Sequence, residues 1–165
     1  MEIRILTAED AEFYRELRIE ALMLSPDAFG ATLEEALDKP VEKTAERLSS
    51  PSATTFGAFV GGRLLGNVTL TRHTPAKLRH RANVVGVYVT PSARGRKIAS
   101  RLMEALVEHA KSLEGLEQLY LAVVSDNGPA IELYQNCGFE KYGTEYRSMK
   151  AEGSYIDEDL MVRFL

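Results

Sequence analysis

Apolar residues recur along the chain in two rhythms, one near every third or fourth position and one at every second, and their succession predicts an order of helices and strands. Glu2 to Leu6 alternates enough for a strand. Thr7, with Asp10 three residues on, reads as an N-cap with an acid in the first turn, and Phe13, Leu17 and Ala21 then repeat at helical spacing with Tyr14 and Leu22. Ser25-Pro26 stops that helix, because the residue before a proline is pushed out of helical dihedrals. Residues 33–48 read as helical again, with Pro40 ahead of the second part, and residues 49–52 as a loop. A third apolar helix face runs through Ile98, Leu102, Ala105, Leu106 and His109, with Arg101, Glu104 and Glu108 outward. Ala130, Leu133, Tyr134 and Cys137 mark a short fourth helix, closed by Gly138 just past its end.

The other rhythm fills the gaps. Thr55 to Val60 and Leu64 to Thr71 are β-rich runs joined by Gly61-Gly62, which lets both central turn residues take positive φ. Residues 72–81 connect them to a strand from Asn83 to Thr90, with Val85, Val87 and Val89 expected on one face and Pro91 ending it. Leu119 to Val124 reads as a buried strand, and Phe139 to Met149 and Ser154 to Phe164 as two long strands around Glu152-Gly153. The order is mixed α/β, without repeats or low-complexity segments. A length of 165 residues suits one domain over residues 1–165.

Composition narrows the class. Apolar residues at 45% and charged residues at 27% are ordinary globular proportions. Cys137 is the only cysteine, so no intrachain disulfide forms, and a reducing, cytoplasmic location is expected. No apolar run reaches the roughly 18 residues of a membrane span, and no signal peptide pattern opens the chain. A net charge of −4 argues against a general nucleic-acid binder. Residues 72–81 nevertheless carry four cations and no acid, the basis of a weaker nucleic-acid reading. Acids gather at Glu34, Glu35, Asp38, Glu42 and Glu46 and again at Asp157, Glu158 and Asp159; these are expected to be solvated faces. His73, His80 and His109 have no metal-ligand spacing and no cysteine beside them, so no metal is expected.

The candidate chemistry begins where the strand ending at Thr90 meets the helix starting near Ile98. A helix start offers N–H groups without intrahelical acceptors and a partial positive charge. Here Arg94, Arg96 and Lys97 add full charges, and Gly95 removes a Cβ from the turn. Such a junction suits a phosphate. By itself it is equally an ordinary strand-to-helix connection whose cations face water. The nucleoside-triphosphate loop pattern G-x-x-x-x-G-K-[ST] is absent, and Gly61-Gly62 with Gly66 has neither dinucleotide-fold spacing nor a following helix.

A second segment gives the junction its context. Arg94, Gly95, Arg96, Lys97, Ile98 and Ala99 fit a [QR]-x-x-G-x-[GA] pattern at its first and last fixed positions, with Lys97 in place of the middle glycine. Downstream, Asn127, Tyr134 seven residues later and Gly138-Phe139 form a second hallmark. Together, in this order, they resemble the GCN5-related N-acetyltransferase (GNAT) superfamily over most of the chain. The resemblance implies a mixed, mostly antiparallel α/β sheet of about seven strands, splayed between the fourth and fifth and flanked by about four helices. It also implies acetyl-CoA as cosubstrate and a small-molecule or peptide primary amine as acceptor, with no nucleic-acid or membrane partner; a homodimer is compatible with it. A fold-retaining CoA-binding sensor without turnover is the alternative.

The same resemblance distributes roles. Arg94, Gly95, Arg96, Lys97, Ile98, Ala99 and Ser100 would hold the pyrophosphate, and Val87, Tyr88 and Val89 would pair with pantetheine as with another strand. Asn127 would bond the cofactor, although it is equally placed to cap the helix after it. Tyr134 would protonate the departing thiolate, against an alternative role in core packing. Many relatives carry a glutamate on the strand before the pyrophosphate loop; this chain has none between His80 and Thr90, which leaves His80 and Glu34 as candidate bases. If Glu34, Glu35, Asp157 and Glu158 face the cleft, cationic acceptors such as polyamines are expected.

Overall fold

The computed structural model describes all 165 residues. Strand β1 (Glu2–Ile5) leads into a reciprocal cap, in which the Asp10 carboxylate accepts from the Thr7 N–H at 2.9 Å and from both ends of the Arg4 guanidinium at 2.7 and 2.8 Å. Helix α1 (Ala11–Leu24) follows and buries Tyr14, Leu17, Ala21 and Leu22. Phe13, expected on that face, is 49% exposed. The buried stripe is centred on Tyr14 and Ala21, and one residue of helix turns Phe13 by about 100° away from it. Pro40 divides the next helical stretch into α2 (Leu33–Asp38) and α3 (Val41–Leu48), so the chain has five α-helices.

The sheet then assembles from β2 (Ala53–Val60), β3 (Arg63–Arg72), β4 (Arg81–Val89), β5 (Gln118–Val124), β6 (Glu140–Ala151) and β7 (Ser154–Phe164), with α4 (Ile98–Ser112) and α5 (Gly128–Asn136) around β5. Spatial order is β1-β2-β3-β4-β5-β7-β6, antiparallel except between β4 and β5. Gly61 and Gly62 take φ of 57° and 78°, as the two-residue turn between β2 and β3 requires. One sheet face packs on α4 and α5 through Val68, Leu70, Leu102, Leu106, Leu119 and Met161; the other packs on α1 and α3 through Leu6, Leu17, Leu48 and Leu64.

Strand β4 departs from simple alternation. Thr69 pairs with Val85 but Asn67 pairs with Tyr88, so one extra residue is accommodated on β4, and Gly86 there has a φ of 64°. Ala82 and Val84 face α4 before the bulge, and Val89 does so after it, while Tyr88 faces α1. The single face expected for Val85, Val87 and Val89 is therefore broken: Val85 is exposed and Val87 half-buried. Two of the four cations at 72–81 are committed to the fold. Arg72 donates to the carbonyls of Arg79 and Glu114, and Arg81 lies over the Tyr120 ring.

Candidate active site

Strands β4 and β5 pair only at Arg81, Ala82 and Asn83, opposite Gln118, Leu119 and Tyr120, and then separate. The bulge fixes how β4 continues. The Asn67 side-chain amide, buried beside it, donates to the Gly86 carbonyl at 2.7 Å. Further on, the Thr90 N–H donates to the Leu65 carbonyl at 2.8 Å, toward β3. Backbone groups of successive strand residues point to opposite sides, so those of Val87 and Val89 turn toward the split while those of Tyr88 turn to β3. The result is an unpaired strand edge along one wall of a cleft of about 610 Å³.

At its end, β4 turns through Pro91–Ala93 into the basic loop. Gly95 has a φ of 75°, and a Cβ built on it would meet no atom within 4 Å. Lys97 is itself left-handed (φ 59°, ψ 21°) and precedes α4 without any side-chain cap. The first N–H groups of α4 are thus free for an external acceptor. A glycine fits the position of Lys97 in the pattern above because only glycine adopts that backbone without strain. The seven loop residues do not act as one surface. Arg94 lines the cleft, donating from Nε to the Val89 carbonyl at 3.1 Å and lying over the Tyr88 ring. Ala99 also lines the cleft, Arg96 is exposed, and the Ile98 side chain is buried under α4. Lys97 and Ser100 face a neighbouring hollow of about 590 Å³ between α4 and α5, bordered by Cys137 and Arg163.

The opposite wall comes from β5 and α5. Ala122, Val123 and Val124 present the β5 side, and Asn127 sits at the lip. Asn127 does cap α5, its Oδ1 accepting from the Ala130 N–H at 3.3 Å, which leaves its NH2 group free to donate. Two turns into the helix, Tyr134 is 7% exposed and lies edge-on to Phe139 at 6.3 Å. Its ring belongs to the core, yet it also lines the cleft, and no side-chain hydrogen bond within the chain engages its hydroxyl. Burial pushes this phenol well above its ordinary pKa, with a smaller push from Cys137, so it is protonated at any physiological pH. Gly138 (φ 82°) ends α5: its N–H donates to the Gln135 carbonyl and that of Phe139 to the Tyr134 carbonyl, fixing where the helix stops.

The third side is closed by the chain between α1 and α2, whose turn at Pro26–Ala28 packs against both α1 and β5. Phe29, Arg18 from α1 and Arg47 from α3 complete the lining there, and none of the three was marked by a sequence pattern. Glu158 on β7 is the sole carboxylate lining the cleft; it accepts from the Ser148 hydroxyl. The other acids expected there are elsewhere. Glu34 is on the exposed side of α2, Glu35 caps that helix from the Thr32 N–H, and Asp157 accepts from the Arg147 N–H. Neither His80 nor Glu34 lines the cleft. Glu20, unmarked in the sequence, accepts from the hydroxyls of Tyr88 at 2.9 Å and Thr90 at 2.5 Å; burial and this carboxylate push the Tyr88 phenol up to about 12.

A model of the acetyltransferase (GNAT) family matches residues 11–139, and the chain belongs to that family, with acetyl-CoA as the cosubstrate that goes with membership. It is 30% identical over 122 residues to the L-amino acid N-acetyltransferase AaaT of Escherichia coli K12, covering 74% of this chain and 73% of that protein. It spans only 42% and 28% of the next two curated relatives it matches. Among solved structures, an acetyltransferase of the GNAT family from Streptococcus pneumoniae superposes with a TM-score of 0.89 at 25% identity, over 99% of both chains. The fold is shared as well with yncA of Salmonella typhimurium, solved with acetyl-CoA, at a TM-score of 0.87 and 17% identity, over 100% of this chain and 94% of that one.

Proposed function

We propose that this protein transfers the acetyl group of acetyl-CoA to a primary amine by direct attack of the amine on the thioester. The observation that carries the proposal is the cleft itself: a free strand edge on one wall, a neutral buried phenol on the other, and an uncapped basic helix start beside them. Acetyl-CoA supplies the acetyl group as a thioester, which a neutral amine can attack.

The backbone groups of Val87 bond the amides of the pantetheine arm as an added strand would. Arg94, Arg96, Lys97 and the free N–H groups at the start of α4 hold the pyrophosphate. The Asn127 amide donates to the cofactor from the opposite lip, and the hollow between α4 and α5, lined by Lys97 and Arg163 beside Glu104 and Glu108, receives the nucleotide end. The Val89 N–H faces the negative charge that develops on the thioester oxygen. Tyr134 gives its proton to the departing thiolate. A free phenol lies about 1.5 pKa units above a thiol, an uphill step of about 2 kcal/mol that burial increases, so the transfer is concerted with bond breaking.

At an ordinary pKa of about 10.4, only about one amine in a thousand is neutral at pH 7.4. Glu158 is placed to hold the ammonium group and take up its proton.

The test is release of free thiol from acetyl-CoA in the presence of a panel of primary amines. Turnover with at least one amine, and none without enzyme, is expected. Tight acetyl-CoA binding with no thiol released by any amine would instead make the protein a CoA-binding sensor.

A further inference from the structure

The chain carries a net charge of −4, yet one side of its cleft is strongly cationic. Under α1, against α2 and α3, lies a cavity of about 230 Å³ lined by Arg15, Arg18, Lys39, Lys43 and Arg47, with Glu35 as its only acid. Several of these charges already have partners. Arg15 donates to the carbonyls of Leu37 and Lys39, Lys43 pairs with Glu46 at 2.9 Å, and the Glu35 carboxylate is spent on the Thr32 N–H. The guanidinium groups of Arg18 and Arg47 have no ion pair and no hydrogen bond within the chain.

These two arginines, with Tyr14, line both the cavity and the acetyl-CoA cleft, so they stand where the two adjoin. Arg47 is exposed at the rim. Arg18 is half-buried, with its guanidinium 4.6 Å from the centroid of the Phe29 ring, and burial together with Arg47 pulls its pKa down. Withdrawing a guanidinium from water beside a like charge, with no carboxylate to answer it, is unfavourable for the free protein. An anion placed between the two would reverse the sign of that interaction and meet planar donor pairs suited to a carboxylate. Glu158, the one carboxylate lining the cleft, attracts an ammonium group.

We infer that the acceptor is a small zwitterionic amine, its carboxylate held by Arg18 and Arg47 and its amine directed toward Glu158 and the thioester. This rests on the acetyltransferase reading above and names its substrate class. It replaces the polyamine expectation, since three of the four acids on which that expectation stood lie outside the cleft and arginines line it instead. The ring of Phe29, stacked on Arg18, holds that guanidinium in place.

The test uses the L-amino acids and their carboxamides, which share the amine and differ in the anion, with spermidine added, all assayed by thiol release. The acids should exceed their amides in kcat/KM by about ten- to a hundredfold, the usual span for a charge-assisted bidentate contact. Arg18→Gln and Arg47→Gln should lower kcat/KM for the acids by about that factor and bring the ratio toward one, with the circular dichroism spectrum and melting temperature of each variant as the control for folding. Arg18→Lys, with charge but no fork, should fall between. A second readout needs no turnover: N-acetyl-amino acids, but not N-acetyl-amino acid amides, should raise the melting temperature of the CoA-bound protein, and the Arg18→Gln variant should lose that response. Amides or spermidine turned over as well as the acids would overturn the inference, as would N-acetyl-amino acids that fail to bind. Acids that bind with no thiol released by any amine would leave the anion site standing and overturn the acetyltransferase reading.

Discussion

Replacing Lys97 by glycine separates two effects that meet at one residue. Lys97 holds a left-handed backbone with φ 59° and ψ 21°, which costs a residue with a Cβ about 1–2 kcal/mol. Glycine removes that cost but loses about 0.5–1 kcal/mol through its greater freedom in the unfolded chain. The net expectation is about 0.5–1 kcal/mol of stabilisation, or a rise in Tm of roughly 1–4 °C for a domain this size. The same change deletes one cation from the loop proposed to hold the pyrophosphate. For an exposed charge about 5 Å from a phosphate in a water-like dielectric, the loss is about 0.8 kcal/mol, close to fourfold in acetyl-CoA affinity. Lys97→Ala deletes the same charge and keeps the strain. Thermal melts and titration calorimetry on the three proteins should therefore give Lys97→Gly the highest Tm, and equal, fourfold weaker binding for the two variants. A glycine variant that melts below the alanine variant would refute the strain argument; unchanged affinity in both would take Lys97 away from the phosphates.

Three further expectations follow from the same geometry. A Cβ added at Gly66 would lie 2.9 Å from the Tyr88 carbonyl oxygen and 3.0 Å from Val89 Cγ2, so Gly66→Ala must shift β4; a loss of about 1–3 kcal/mol is expected, with acetyl-CoA binding weakened more than tenfold by calorimetry. Asn67→Ala leaves the Gly86 carbonyl at the bulge without its donor and should cost about 1–3 kcal/mol in urea denaturation. The Arg4 guanidinium holds Asp10, and the Ser125 hydroxyl with Lys141 holds Asp159, below the usual carboxylate range. Their folded pKa values are depressed, so their stabilisation is fully present above about pH 4 and disappears as pH falls through the folded values. Asp10→Asn and Asp159→Asn should flatten the decline in urea midpoint between pH 5 and pH 2.

The element order was legible because its signals are local. Gly61-Gly62, Pro91 and Gly138 mark their turn or terminus by backbone chemistry alone, and each stands where that chemistry requires. The basic loop ahead of α4 and the Asn127–Tyr134 helix were legible as elements because a strand-turn-helix places its residues by local spacing. What failed depended on contacts across the sheet. The bulge in β4 had one local mark, Gly86 inside the apolar run, but the Asn67 amide that braces its carbonyl comes from another strand, which no pattern within residues 83–90 reports. Arg18, Phe29 and Arg47 were invisible as a group because they come from α1, the turn after it and α3, and meet only when those elements pack. The acidic residues misled for the same reason: their clustering in sequence was real, but capping and hairpin contacts took Glu35 and Asp157.

The central claim is that Tyr134 is an acid as well as a core residue, and single-turnover kinetics of Tyr134→Phe test it most directly. The phenylalanine ring preserves the contact with Phe139, and the lost hydroxyl has no partner in the chain, so Tm and acetyl-CoA affinity should stay near those of the wild type. The acetyl-transfer step itself, timed in one turnover so that product release cannot mask it, should slow by about a hundredfold. A variant that folds, binds acetyl-CoA and transfers the acetyl group at the wild-type rate would contradict the account.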